Sequence, residues 1–324
     1  MSVVTSAIAG SSSWYFTPLL WLHPSQFLTD LPPERPTVNH DQTFKQLPQL
    51  PPPGIATQDK TQVEVVAGFP SVRQEAIAQN LHQRSMGEIM QAMGEHFLGT
   101  PYKAGLLDQS PEEKLVVSLN EFDCVLFVET VLAIARGIAV QDYSAQTFVN
   151  HLQDQRYSHG KLNGYCSRLH YFSAWIADNQ KRGTVENITR QLGGIPLNQP
   201  LNFMSQHRDS YPQLAQNDAN YQCIVEAEKQ LAESAIYYLP QSKIRSIYEQ
   251  LQPGDIVAVA TRVPGLDVTH TGLVYRHSGD SVGFIHASPK GTVKVAPDLQ
   301  SYIDRVEDAI GIIVARPIDP RKPD

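Results

Sequence analysis

The chain of 324 residues predicts an α+β fold, and three observations carry that expectation. Three- and four-residue apolar periodicity runs through residues 71–97, short β-branched runs fill nearly everything from residue 256 onward, and Pro253-Gly-Asp255 supplies the turn into the first of them. Helices first and strands afterwards predict a largely antiparallel sheet with helices gathered on it. No internal repeat is visible.

The first element is ambiguous. Ser13-Trp-Tyr-Phe-Thr-Pro-Leu-Leu-Trp-Leu22 is apolar, yet it falls short of the about 20 residues a helix needs to cross a bilayer, so no stable membrane anchor is expected. Secretory signals carry Lys or Arg before their apolar stretch, whereas the first such residue here, Arg35, comes after it. The segment reads as a weak export signal, a misplaced start or a short packing helix. Pro32, Pro33, Pro36, Pro48, Pro51, Pro52 and Pro53 then predict an extended linker. The division expected is 1–58 for this apolar segment and linker, and 59–324 for one folded domain.

Within that domain, Val72, Ala76, Ile77, Leu81, Met86, Ile89, Met90, Met93 and Phe97 predict an amphipathic helix broken near Ser85. Lys114-Leu-Val-Val-Ser118 predicts a short strand. Residues 124–135 are apolar around nearly the whole circumference, which predicts a buried helix with Asp123 as its N-cap. A helix over 145–153, a loop rich in Gly and Asn, and the segment 169–179 follow. Strands are predicted at 256–260, 272–275, 283–286, 293–295 and 310–315, with Asp255 as a turn residue.

Chemistry concentrates at the head of the buried helix. Cys124 opens it, and the unpaired N–H groups and partial positive charge of a helix N-terminus favour thiolate over thiol. A free cysteine is equally a small core residue, so Cys124 alone proves nothing. His270 stands 146 positions later (270 − 124), at the start of a strand-like run, and His286 follows 16 further on (286 − 270). A hairpin turning at Ser278-Gly-Asp280 brings both histidines onto one face. Thiolate, imidazole base and a group that orients the imidazole are the three parts that nucleophilic cysteine chemistry needs. An ordinary buried hydrogen-bonding role is the competing reading for each histidine.

Leu98-Gly-Thr-Pro-Tyr102, Glu121-Phe-Asp-Cys-Val-Leu-Phe-Val-Glu129, Ser167-Arg-Leu-His-Tyr-Phe172 with Trp175 and Asp178-Asn179, Thr269-His-Thr-Gly272 and Ile285-His-Ala-Ser288 occur in that order. Together, over residues 72–317, they resemble the N-acetylmuramoyl-L-alanine amidase-like subfamily of the NlpC-type papain-like cell-wall cysteine hydrolases. The resemblance implies a papain-like fold, no metal and no cofactor. It further implies hydrolysis of an amide in or next to the peptide stem of peptidoglycan, with Cys124 as nucleophile, His270 as base and His286 as orienting residue. Leu126 departs from the Thr or Ser usual at its position, from which a packing change is expected.

The middle segment is expected to shape the substrate site. Arg168 is a candidate to hold a stem-peptide carboxylate, Tyr165, Tyr171 or Trp175 to offer a flat face, and Asp123 to meet a peptide amino end. Against this, the aromatic stripe reads as core, with Arg168 paired to an internal acid such as Asp178.

A net charge of −7 and the lack of a basic stripe argue against nucleic-acid binding. Cys124, Cys166 and Cys223 form no metal-ligand spacing, and Cys166 and Cys223 are expected as two independent thiols, with pairing left open. A periplasmic or cell-envelope location is expected, with the cytoplasm left open. The competing function is a catalytically idle peptidoglycan-binding or interaction module, and among enzymes acyl transfer to an amine.

Overall fold

The computed structural model describes residues 67–277, 281–289 and 291–321. The N-terminal apolar segment, the proline-rich linker and the Ser278-Gly-Asp280 tip lie outside them.

The long amphipathic stretch divides where expected. Helices α1 (Phe69–Ala78) and α2 (Met86–His96) are separated by a short 3₁₀ turn, and Ser85 caps α2. The Glu88 carboxylate accepts from the Ser85 amide at 2.9 Å, a capping box that starts a new helix instead of continuing the old one. Then come α3 (Cys124–Ala139), α4 (Ala145–Arg156) and α5 (Phe172–Lys181). The expected strand at 114–118 does not form. Its carbonyls are taken by side chains instead, Val116 O by Arg156 at 2.6 Å and Lys114 O by Tyr157 at 3.2 Å, and no neighbouring strand reaches it.

A stretch left unread in the sequence follows, with β1 (Val185–Asn187), β2 (Ile195–Pro196), α6 (Phe203–Gln206), α7 (Pro212–Ala215), α8 (Asp218–Ala232) and β3 (Tyr237–Pro240). Helix α8 is mostly polar, and Ile224, Glu228 and Leu231 are its buried residues, so its periodicity is weak. The strand-rich part comprises β4 (Ile256–Thr261), β5 (Val268–Arg276), β6 (Val282–Ala287), β7 (Val293–Ala296), the short helix α9 (Leu299–Ile303) and β8 (Ala309–Pro317).

All pairings in the sheet are antiparallel, in the order β2-β3-β8-β4-β5-β6-β7 with β1 also on β8. Period-two alternation explains how it is covered on both faces. Ile256, Ala258 and Ala260 of β4 join the core with α1 to α5, while Val257 and Val259 join a second core with Ile244, Ile247, Leu299 and Ile303. A third core, around Tyr165, Tyr171, Phe203, Leu214 and Ile224, belongs to the helical middle segment. Gly254, at φ +74°, makes the turn into β4. Asp255 is more than a turn residue: it is buried, accepts from the Gln252 amide at 2.8 Å and pairs with Arg316 at 2.7 Å. Among the described residues no helix is long and apolar enough to cross a membrane.

Candidate active site

Helix α3 is buried along almost its whole length, which fixes Cys124 at the end of a rigid rod packed on β5 and β6. Asp123 caps it as expected, with its carboxylate accepting from the Leu126 amide at 2.8 Å. Leu126 is fully buried in the main core, so the departure from Thr or Ser there is met by packing. The first turn is tied to β5 through Thr271, whose hydroxyl donates to the Cys124 carbonyl at 2.9 Å. Cys124 therefore sits against the residue that follows His270.

A β-bulge sets the neighbouring histidine. Val259 pairs with His270, but the next β4 residue, Ala260, pairs with Val268, which leaves Thr269 as the extra residue. The bulge lets Val268 and Thr271 both serve the core under α3. His270 then meets His286, with Nε2 of the first 2.8 Å from Nδ1 of the second. The two rings stand at 89° with centroids 4.9 Å apart, and Phe284 and Tyr302 complete the aromatic cluster. Gly272 makes room for it: a Cβ there would lie 2.6 Å from the Phe284 ring. The paired strands β5 and β6 thus bring both histidines together as expected, while the tip that joins them lies outside the described residues.

Electrostatics favour neutral groups throughout. Burial, helped by the Asp123 charge, pushes the Cys124 thiol up to about 12, although the Thr271 amide and hydroxyl pull the other way. Burial drives His270 down to about 3 and His286 well below its usual range, the latter also through the nearby His270 and Lys294 charges. Asp123 is raised to about 6, chiefly by burial. Among the described residues no hydrogen bond joins Cys124 Sγ to His270. Burial thus works against the preformed thiolate that the helix N-terminus suggested, because loss of solvation opposes the helix contribution.

Two tyrosines that sequence reasoning did not assign to chemistry border the thiol. Tyr102 is pushed up by burial and then by the Cys124 and Asp123 charges, and Tyr302 by burial and then by Cys124. The Leu98-Gly-Thr-Pro-Tyr102 motif was the available signal for the first; nothing in the local pattern marked Tyr302.

The middle-segment candidates lie elsewhere. Arg168 is 3% exposed and its guanidinium faces Asp108 at 2.7 Å and Glu113 at 3.5 Å, while Asp178 pairs with Arg182. The internal-acid reading of Arg168 is therefore the one realised, with different acids, and a substrate-carboxylate clamp is not what this packing provides. Tyr165 and Tyr171 are buried in the third core, and the Tyr171 hydroxyl donates to Glu228 at 2.7 Å, so packing and not a cleft occupies them. Trp175 is buried with its indole N–H on Glu129 at 3.2 Å. Cys166 and Cys223, expected as separate thiols, form a disulfide with Cα atoms 6.0 Å apart; a sequence separation of 57 hid a contact made by the fold of the helical segment. Among the described residues no group of three or more His, Cys, Asp or Glu is arranged to hold a metal ion.

The profile of the AmiA-like, N-acetylmuramoyl-L-alanine amidase-like family matches residues 92–312. Among solved structures, an N-acetylmuramoyl-L-alanine amidase from Bacteroides uniformis is similar, with 31% identity, a TM-score of 0.68, and coverage of 72% of this chain and 99% of that one. A Bacteroides fragilis protein described as a candidate xylanase has 34% identity and a TM-score of 0.62 over 69% of this chain and 99% of its own. Protein LPG0564 from Legionella pneumophila, at 22% identity and a TM-score of 0.59 over 79% and 95%, shares the fold. The comparison with curated proteins returns no significant match.

Proposed function

We propose, given that this chain belongs to the N-acetylmuramoyl-L-alanine amidase-like family, that it is a cysteine-dependent amide hydrolase of the NlpC-type papain-like kind, acting on peptidoglycan stem peptides or the muramoyl-L-alanine bond. The observation that carries the reading is the 2.8 Å His270–His286 bond beside the capped N-terminus of the Cys124 helix.

In this mechanism the resting pair is neutral. As the Cys124 sulfur attacks the scissile carbonyl, its proton passes to His270 Nδ1, the nitrogen left by the bond of Nε2 to His286. His286 orients the ring and stabilises the imidazolium as it forms. Asp123 takes the Leu126 amide, so the Cys124 amide and the Tyr102 hydroxyl are the donors for the developing oxyanion, each worth roughly 3 to 4 kcal/mol if well aligned. The C–N bond then breaks, His270 protonates the leaving amine, and water assisted by His270 releases the acid and restores the thiol.

Asp123 keeps its proposed second role toward a peptide amino end. A glycosidase-type reading, suggested by the Bacteroides fragilis neighbour, would call for a pair of carboxylates flanking the bond, and here a thiol and two imidazoles occupy the centre. The competing reading of an idle wall-binding module draws on the neutral pKa values and the missing sulfur-to-imidazole bond. The Cys166–Cys223 disulfide supports a periplasmic or cell-envelope location, since such bonds persist in oxidising compartments. Incubating the protein with defined muropeptides and weighing the products tests the proposal: cleaved amides that vanish with His270→Ala support it, and intact muropeptides overturn it.

A further inference from the structure

His286 turns Nδ1 to His270, and its other nitrogen, Nε2, is buried with no hydrogen-bond partner. If His270 is to accept the thiol proton at Nδ1, its own proton sits on Nε2 and is donated to His286 Nδ1. His286 then carries its proton on Nε2, as a buried donor lacking an acceptor. A buried donor without an acceptor is costly to a fold, which argues for a partner supplied from outside.

The space beside it has the character of a ligand site. A cleft of about 710 Å³ is lined by His286, Lys294, Pro297, Tyr302, Arg305 and Glu307, within the usual size range of small-ligand sites. Lys294 pairs with His286 in the β6–β7 register, and Arg305, whose Nε donates to the Ser301 carbonyl, belongs to the same lining. Among the described residues neither Lys294 nor Arg305 forms an ion pair, and Glu307 is the one carboxylate in the lining.

We propose that this cleft is a carboxylate subsite, in which a carboxylate of the acidic peptide stem accepts from His286 Nε2–H and faces Lys294 and Arg305. The inference rests on the hydrolase reading and adds a substrate requirement to it. A carboxylate seated there makes His286 a better acceptor toward His270 and so strengthens His270 as a base. Binding the acidic fragment and activating the thiol become one event, and the resting enzyme stays neutral until the fragment arrives.

The test compares one muropeptide with free stem carboxylates against the same molecule with those carboxylates converted to amides. In the wild-type protein amidation is expected to lower kcat/KM by 10- to 100-fold. The K294Q/R305Q protein should lose that preference, cleaving the two forms with similar kcat/KM. Equal cleavage of both forms by the wild type, or an equal loss on both by the variant, overturns the subsite. Acceleration of wild-type turnover by added acetate would assign the cleft to a free anion and overturn the link to the substrate. Independently of turnover, ¹⁵N-histidine spectra of the Cys124→Ala protein should show His286 Nε2 shifting with the free-acid fragment and not with its amide. That shift without turnover in the wild type would leave the subsite standing and sink the hydrolase; turnover without the shift does the reverse.

Discussion

Helix α3 carries two buried polar clusters five positions apart, and they are built on opposite principles. At Glu129 the carboxylate meets Arg156 at 2.7 Å and the Trp175 indole at 3.2 Å, so charge is cancelled by charge. At Cys124 a carboxylate raises the thiol, and Tyr302, itself raised by that thiol, packs against two imidazoles that burial keeps uncharged. The Glu129 cluster uses its polar groups to fix α3 against α4 and α5. The Cys124 cluster keeps its groups neutral and leaves one nitrogen of His286 without a partner. The Glu129 carboxylate is answered by a cation within the chain, whereas the unpartnered His286 ring lines an open cleft.

The largest effect that separates the two clusters is on turnover. Cys124→Ala should lower amide hydrolysis at least about a thousandfold, because the nucleophile itself is removed. Thermal unfolding should stay near the wild-type value, since the exchange removes one sulfur from a well-packed helix. Muropeptide digestion followed by mass spectrometry, with calorimetry alongside, gives both readings. Hydrolysis that survives in this protein would end the assignment of Cys124.

The next effect is on stability, at the other cluster. Arg156→Met leaves the Glu129 carboxylate buried without its cation, at a cost of about 3–5 kcal/mol. Urea unfolding should show this loss, and a second change, Glu129→Leu, should recover much of it. A single variant within about 1 kcal/mol of the wild type would mean that the pair does not hold the helices and that the contrast between the clusters is false.

How much of this was legible in the sequence follows the same division. Cys124, His270 and His286 could be found because each opens or sits in a strongly patterned run, and β5 and β6 are strands whose pairing joins the two histidines. The strands from 256 onward were readable because faces buried on both sides give dense β-branched runs. What escaped depended on contacts between distant segments: the Cys166–Cys223 bond, the Arg168–Asp108 pair and the helical segment whose apolar residues are too sparse to show a period. The neutral state of the thiol escaped for a different reason. Helix polarity can be read from a motif, but loss of solvation depends on everything packed around it.

A smaller effect concerns acid. His170 and His270 are each driven down to about 3 and His286 well below its usual range, whereas an unfolded histidine titrates near 6.5. Below pH 6.5 the unfolded chain binds protons that the folded one refuses. Stability present above pH 6.5 is therefore lost as pH falls toward 3, by about 2 kcal/mol per histidine at pH 5. Asp123, raised to about 6, works in the opposite sense, because its protonation favours the folded state. Comparing the protein with His270→Gln isolates one group: the variant should lose about 2 kcal/mol less than the wild type between pH 7 and pH 5. Parallel losses in urea titrations would mean that His270 is charged in the folded protein.

The smallest effect tests the electrostatics of the thiol alone. Asn is as good an N-cap as Asp, so Asp123→Asn should hold the start of α3 and change stability by no more than about 0.5 kcal/mol. It also removes the charge that helps push the thiol up, so its alkylation by iodoacetamide should quicken by roughly a few-fold at fixed pH. In both proteins the rate should climb from pH 6 to pH 9 without levelling, since only the rare thiolate reacts. A plateau already at pH 6 would reveal a preformed ion pair with His270. It would also mean that burial is not the dominant influence at Cys124, and that the two clusters on α3 differ less than their neighbours imply.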